Sequence, residues 1–261
     1  MKSLAKKSLG QNFLIDKNII KKITNLVYIK NKNVIEIGPG KGALTEEILK
    51  KKPNSLTLIE KDTNLTKELE KKYFKKKNIK IYNTDILKFD IEKASQNNSI
   101  IFGNLPYNIS TQILVKILRL MKNPPGFDDV ILMFQKEVGD KICGKFGSSD
   151  YGRLSILTNY KFNIIKKFLI TKNCFLPKPK ITSILIHFKP KRDLFKIKKL
   201  ENLEKITNIM FSNKRKMVNK NIKKILNQNQ IKSLNNFKGN LRPAEIKPET
   251  YYEITELYEK R

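Results

Sequence analysis

Acidic residues, thiols and imidazoles are scarce in this chain. Its 261 residues include 24 Asp and Glu against 54 Lys and Arg, 2 cysteines and one histidine. Cys143 and Cys174 show no CxxC spacing. They support neither a disulfide framework nor a zinc site, and a reducing compartment is expected. His187 sits alone in the alternating run ITSILIHF. That excludes His-based metal clusters, and a Ser-His-Asp triad unless His187 itself serves. No metal is expected. No run approaches the roughly 18 apolar residues of a membrane-spanning helix. The N-terminal MKSLAKKSLG is basic but lacks the apolar core of a signal peptide, so the cytosol is the expected location.

The shortage of acids leaves a formal charge of +30. Such a balance destabilises a compact chain by self-repulsion and suits a polyanionic partner. Nucleic acid is the first candidate and an anionic membrane surface the second. Abundant Lys, Asn and Ile together suggest A+T-rich coding, which inflates lysine but does not explain the missing acids. The length suits one sizeable domain with a smaller one.

Strand-like and helix-like segments alternate from about residue 18 to 188. Ile19, Ile20, Ile23, Leu26 and Val27 recur at helical spacing over Asn18–Tyr28, behind a capping Asp16. Strands are expected at Val34–Ile37, Leu56–Ile59, Ile79–Tyr82, Ile100–Phe102 and Val130–Phe134. Helical patterns lie between them: Ala43–Lys51, the Leu65/Leu69/Tyr73 face and the Ile113/Leu114/Ile117/Leu118/Met121 face. This is the pattern of βαβ units, a mostly parallel sheet and helices on both faces. Phe162–Ile170 and Ile181–Phe188 read as a late hairpin around the Pro-rich CFLPKPK. KPKRDLFKIKK reads as a linker. From about Leu200 only helical patterns remain, many of them basic. The expected domains are therefore residues 1–189 and a small all-helical 190–261.

VIEIGPGKGALT reads as strand, glycine turn and helix. Gly38, Gly40 and Gly42 permit close backbone approach, and the helix N-terminus offers free N–H groups. The GxGxG spacing is neither the dinucleotide fingerprint nor a P-loop. Glu60 follows at the end of LTLIEKD, where a carboxylate would accept from ribose hydroxyls. Asp85 in IYNTDIL stands at the end of the next strand, suited to an adenine amino group. Asn104 ends the fourth. Ligands of open α/β sheets bind at these carboxyl ends, so the four features converge on one crevice. In FGNLPYNIS, Pro106 stiffens the backbone and extends Leu105, and Tyr107 sets a ring beside the Asn104 amide. The alternative is a plain turn before a helix capped by Ser110.

Together these features resemble the S-adenosylmethionine-dependent methyltransferases, whose [N/D]-[I/L/P]-P-[Y/F] segment marks methylation of an exocyclic amine. Asn104 and a backbone carbonyl at Leu105 or Pro106 would then hold the amine, while Tyr107 stacks on the base. No metal or strong base is needed.

A narrower resemblance covers nearly the whole chain. LGQNFLID (9–16), EIGPGKGALT, NTDIL, GNLPYNIS, LMFQKEV (132–138), YGRLSIL (151–157) and FLPKPKITS (175–183) follow in the order of the KsgA family of small-subunit ribosomal RNA adenine dimethyltransferases. FSNKRKMVNKNIKK and LRPAEIKPE resemble its C-terminal helices. The resemblance implies a Rossmann-like methyltransferase sheet, S-adenosylmethionine as cofactor and small-subunit rRNA in a partly assembled 30S particle as partner. It also implies a monomer that dimethylates two adjacent adenines in the 3′-terminal hairpin loop. It assigns the cofactor to Asn12, Leu14, Gly38, Gly40, Glu60, Lys61, Asp85, Ile86 and Asn104. The target base falls to Asn104, Leu105, Pro106, Tyr107 and Phe175, with Tyr107 and Phe175 sandwiching it. RNA docking falls to Lys178, Lys180, Lys214, Arg215, Lys216, Lys220 and Lys223. A basic surface there would lie opposite an apolar stripe of Met217, Val218, Ile222 and Ile225.

Two departures bear on docking. Lys178 stands where relatives commonly carry Pro, and FSNKRKMVNKNIKK replaces an FSQRRKTLRN-like run. Two other readings remain: a large-subunit rRNA methyltransferase of the macrolide-resistance type, and an RNA-binding assembly factor with dispensable catalysis. A nicotinamide oxidoreductase is disfavoured by the GxGxG spacing and the charge.

Overall fold

The computed structural model describes residues 10–95, 98–121, 126–191, 196–235 and 237–260. The basic N-terminal run up to residue 9 and linker residues 192–195 lie outside them. The strands are β1 (Phe13–Leu14), β2 (Asn33–Ile37), β3 (Ser55–Glu60), β4 (Ile79–Asn83), β5 (Ser99–Asn104), β6 (Phe127–Gln135), β7 (Phe162–Ile170), β8 (Phe175–Leu176) and β9 (Ser183–Pro190). Between the early strands run α1 (Lys17–Thr24), α2 (Ala43–Lys50), α3 (Thr63–Tyr73), α4 (Ile91–Ala94) and α5 (Ser110–Leu120). Later come α6 (Lys136–Ile142), α7 (Arg153–Lys161), α8 (Leu200–Met210), α9 (Asn219–Ile222), α10 (Gln228–Lys232) and α11 (Pro248–Glu259).

Seven strands form one sheet in the order β4-β3-β2-β5-β6-β9-β7. β4, β3, β2, β5 and β6 are mutually parallel, and β9 joins β6 antiparallel. The order reverses between β2 and β5, which leaves a crevice at their carboxyl ends. The central strands are buried along nearly their whole length and are mostly apolar, because helices cover both faces. Leu56, Leu58, Ile100 and Phe102 are accordingly buried in the core. β4 is an edge strand, and its burial alternates instead. The late hairpin appears as the neighbours β9 and β7. Asp16 caps α1 by accepting from Asn18 N and Ile19 N, and the helix ends at Thr24, four residues short of the expected Tyr28.

The two-stranded pairing of β1 with β8 was not legible. Phe13 stands opposite Leu176 and Leu14 opposite Phe175, so the QNFL and FLPKPK segments form one small ribbon.

The chain divides into two compact units. One comprises the residues up to Gly139 together with Ile164–Pro190. The other comprises Asp140–Asn163 and everything from Lys191 on. The division near residue 190 lies beside the expected boundary. The excursion through Asp140–Asn163 differs from it: this segment packs with the C-terminal helices. Tyr252 Oη donates to Ile156 O at 3.0 Å and Tyr151 Oη to Ile246 O at 2.8 Å. The Tyr160 and Tyr252 rings lie 5.1 Å apart. A second correction concerns the basic run. α9 spans only Asn219–Ile222, and the preceding residues form a turn. Val218, Ile222 and Ile225 are buried, whereas Met217 is 56% exposed and lies outside the apolar stripe. Among the described residues, no helix is long and apolar enough to cross a membrane.

Candidate active site

The carboxyl ends of β2, β3, β4 and β5 open onto one cleft. The glycine turn after β2 forms its floor. Gly38, Gly40 and Gly42 all take left-handed backbone, at φ of +69°, +58° and +78°. A Cβ on Gly40 would lie 2.8 Å from Cδ1 of Phe13, so that ring covers the turn.

Glu60 ends β3 and is buried. Its Oε2 accepts from Gly40 N at 3.1 Å and its Oε1 from Asp62 N at 2.9 Å. Burial pushes the Glu60 carboxyl above its ordinary range, while the amides of Asp62, Gly40 and Lys61 pull it back. A carboxylate offers about four lone-pair sites, so acceptor capacity remains for a ligand. Asp62 in turn accepts from Gln11 Nε2 at 3.0 Å, which ties the N-terminal segment to the end of β3.

Asp85 lies two residues past β4. Lys61 Nζ donates to it at 2.8 Å and Leu87 N at 2.9 Å. The Lys61 hydrogen bond holds its carboxyl below the usual range against partial burial. Ile86 lines the same cleft.

Asn104 ends β5. Its Nδ2 donates to Asn12 O at 3.0 Å. That bond fixes the orientation of the amide, using one of its two N–H donors on the N-terminal segment and leaving Oδ1 as an acceptor. Leu105, Pro106 and Tyr107 follow along the cleft wall. Tyr107 Oη and Ser183 Oγ are 2.5 Å apart, and burial raises the phenol pKa.

Beneath the turn lies Glu36, 2% exposed, accepting from Thr45 Oγ1 at 2.7 Å. The bond bridges β2 and α2 across the glycine turn. Burial pushes the Glu36 carboxyl up to about 8, with Thr45 opposing and the Glu60 charge adding.

Most expected cofactor residues therefore converge: Asn12, Gly38, Gly40, Glu60, Lys61, Asp85, Ile86 and Asn104 all line the cleft. Leu14 does not, and neither does Phe175. They are 5% and 3% exposed and belong to the hydrophobic core. Both lie in the β1–β8 ribbon and are buried rather than lining the cleft. Phe13, Gln11 and Gly10 line it instead. These residues belong to the LGQNFLID motif, but which of them face the cleft depends on the β1–β8 pairing, which joins segments about 160 residues apart. Lys178 and Lys180 are exposed beside β8. Lys214, Arg215, Lys216, Lys220 and Lys223 are exposed in the helical unit. Among the described residues, no group of His, Cys, Asp and Glu is placed to hold a metal ion.

A parallel sheet reversing at β2 and β5, a glycine turn and acids at successive strand ends define a Rossmann-like methyltransferase architecture. Two solved structures share it. A dimethyladenosine transferase from Plasmodium falciparum aligns over 95% of this chain and 98% of its own, with TM-score 0.77 and 22% identity. The 23S rRNA methyltransferase ErmE aligns over 95% and 100%, with TM-score 0.70 and 23% identity. At these identities the likeness is one of fold.

The sequence is more specific. The model of the ribosomal RNA adenine dimethylase family matches residues 2–260. A Pelagibacter ubique protein described as ribosomal RNA small subunit methyltransferase A is 47% identical, over 98% of this chain and 97% of its own. Proteins of the same description from Malacoplasma penetrans and Francisella tularensis subsp. novicida are 38% and 41% identical. They cover 97% and 88% of this chain, and 92% and 88% of their own. The chain belongs to the ribosomal RNA adenine dimethylase family.

Proposed function

We propose that this protein transfers methyl groups from S-adenosylmethionine to the N6 amines of two adjacent adenines in the 3′-terminal hairpin loop of small-subunit rRNA. Its substrate is a partly assembled 30S particle, and it acts as a monomer. Family membership and relatives described as small-subunit methyltransferases support this reading. The observation that carries it is the Asn104 amide, oriented by its Nδ2 bond to Asn12 O so that Oδ1 remains an acceptor beside the cleft.

An adenine amine is a weak nucleophile because its lone pair is delocalised into the ring. Asn104 Oδ1 and one backbone carbonyl accept its hydrogens and favour a pyramidal nitrogen. Pro106 O already accepts from Ile109 N at 3.2 Å, which favours Leu105 O as the second acceptor. Tyr107 stacks on the base. Its phenol, held protonated by burial, takes no proton. The nitrogen's proton leaves to water once the new C–N bond has formed. For the second methyl, one acceptor must release, since the monomethylated amine has a single hydrogen.

The cleft residues fit the cofactor. Glu60 accepts from ribose hydroxyls, Asp85 from the adenine amino group, and the open glycine turn admits backbone contact. Gly38, Gly40, Lys61, Ile86 and Asn12 line this half. The bound cofactor supplies a methyl group already activated on a sulfonium sulfur, so alignment provides much of the rate. Lys178, Lys180, Lys214, Arg215, Lys216, Lys220 and Lys223 meet RNA phosphates.

Labelled S-adenosylmethionine offered with unmethylated small and large subunits, followed by mass spectrometry of the modified bases, tests this. Two adjacent dimethyladenines in the small subunit alone, absent with Asn104→Ala, are expected. Label in the large subunit would replace this reading with the macrolide-resistance type. Binding without label would leave an assembly factor.

A further inference from the structure

The amino ends of the parallel strands carry a second surface. Three loops lead into β2, β3 and β4: residues 25–32 (NLVYIKNK), 51–54 (KKPN) and 74–78 (FKKKN). They are joined into one face. Asn31 N donates to Lys52 O at 3.0 Å and Asn54 N to Lys32 O at 2.9 Å. Asn78 Nδ2 donates to Pro53 O at 3.3 Å.

These loops hold seven lysines and no acidic residue. Lys32 meets Asp128 at 3.1 Å. The acids of nearby α2 are engaged elsewhere, Glu46 with Lys72 and Glu47 with Lys50. Lys30, Lys52, Lys75, Lys76 and Lys77 are exposed, and no ion pair engages them among the described residues. Two aromatic rings stand among them. Phe74 is 75% and Tyr28 72% exposed, the highest values of any large hydrophobic side chain among the described residues. Lys75 Nζ sits 5.4 Å from the Phe74 ring centre. Rings this exposed add little to the core, so folding does not account for them.

We infer that this face binds an unpaired stretch of RNA, stacking bases on Tyr28 and Phe74 and engaging phosphates with Lys30, Lys52 and Lys75–Lys77. Unpaired strands are held by this combination, because every base has a π-face and every nucleotide a charge. A duplex would satisfy the lysines and leave the rings unused. β2 and β4 flank β3, so the two ring-bearing loops stand about 10 Å apart, two strand spacings. The cleft lies at the opposite ends of strands of five or six residues, about 17–20 Å away. The nucleotides held here are therefore not the target adenines themselves. The inference takes RNA as partner from the proposed function, but its test needs no methyl transfer.

The full-length protein is titrated with a labelled, unstructured 20-nucleotide RNA, a duplex of equal length and anionic phospholipid vesicles. Tighter binding to the single strand is expected. Tyr28→Ala with Phe74→Ala should weaken single-strand binding about tenfold or more and leave duplex binding unchanged. Replacing Lys75, Lys76 and Lys77 by Ala should flatten the log–log salt slope by about 0.7 per lost contact. On unmethylated small subunits at saturating concentration, kcat should match wild type for both variants, which also reports that they fold. Single-strand affinity unchanged in the aromatic variant, equal losses on strand and duplex, or binding to vesicles rather than RNA would overturn the inference. Absence of methyl transfer by the wild type would sink the proposed function and leave this one standing.

Discussion

Tyr107 and Ser183 are joined by a 2.5 Å hydrogen bond between Oη and Oγ. Tyr107 stands on the loop leaving β5, and Ser183 is the fully buried first residue of β9. The ring proposed to stack on the target base is thus anchored to the sheet as well as to its own loop. Loop residues gain precision when a rigid element holds them.

Ser183→Ala should leave the Tyr107 hydroxyl without its partner in a half-buried setting. The expected loss of stability is about 1–3 kcal/mol, read by denaturant unfolding. Turnover should fall more than KM changes, because a misplaced ring costs alignment. Combining Ser183→Ala with Tyr107→Phe should cost less than the sum of the two single changes. Additive losses would show that the bond does not set the ring.

Glu36 gives stability a pH dependence. Its carboxyl titrates near its ordinary value when unfolded and at about 8 when folded. Between those values the folded state holds a proton that the unfolded state has released, so stability falls as pH rises across the window. Glu36→Gln keeps a partner for Thr45 and removes the ionisation. Unfolding measured from pH 5 to 8 should show wild type losing stability with pH relative to the variant. Parallel curves would mean that Glu36 ionises freely in the fold.

Much of the site could be read in the sequence because its determinants are local. Glu60, Asp85 and Asn104 stand at or just past the ends of apolar runs, and a parallel sheet brings such ends together. The placement of Leu14 and Phe175 was not legible, for the opposite reason. Which way they face depends on a ribbon between residues about 160 apart, and that pairing buries both. Ser183 carried no signal, since its role exists only through a ring 76 residues away. Nothing in the sequence of Asp140–Asn163 says which unit it packs against. Only its tyrosine contacts to the C-terminal helices place it. Met217 fell off the expected stripe because the chain turns there rather than continuing a helix.

Gly40→Ala tests the glycine turn. The position needs φ of +58°, and a methyl there would lie 2.8 Å from the Phe13 ring. Backbone strain of about 1–2 kcal/mol and displacement of the ring are both expected. Cofactor affinity, measured by calorimetry, should drop at least tenfold. Phe13→Ala in the same chain should relieve the clash but not the strain, recovering part of the affinity. Full recovery would assign the whole effect to the ring.

Asn104 separates the acceptor from the clamp. Its Oδ1 is proposed to hold the amine, and its Nδ2 holds Asn12 O at 3.0 Å. Asn104→Ala removes both, and kcat should fall by about 10³-fold, in the range lost when a positioned transition-state contact is removed. Asn104→Asp keeps an acceptor but sets a carboxylate oxygen against the Asn12 carbonyl. That repulsion should loosen the segment around Gly10–Phe13, which also lines the cofactor half of the cleft. The Asp variant should therefore lose cofactor affinity, show faster amide exchange near Asn12, and retain more turnover than the Ala variant at saturating cofactor. Equal turnover in the two variants would mean that the oxygen contributes nothing and that Asn104 serves only to fasten the N-terminal segment.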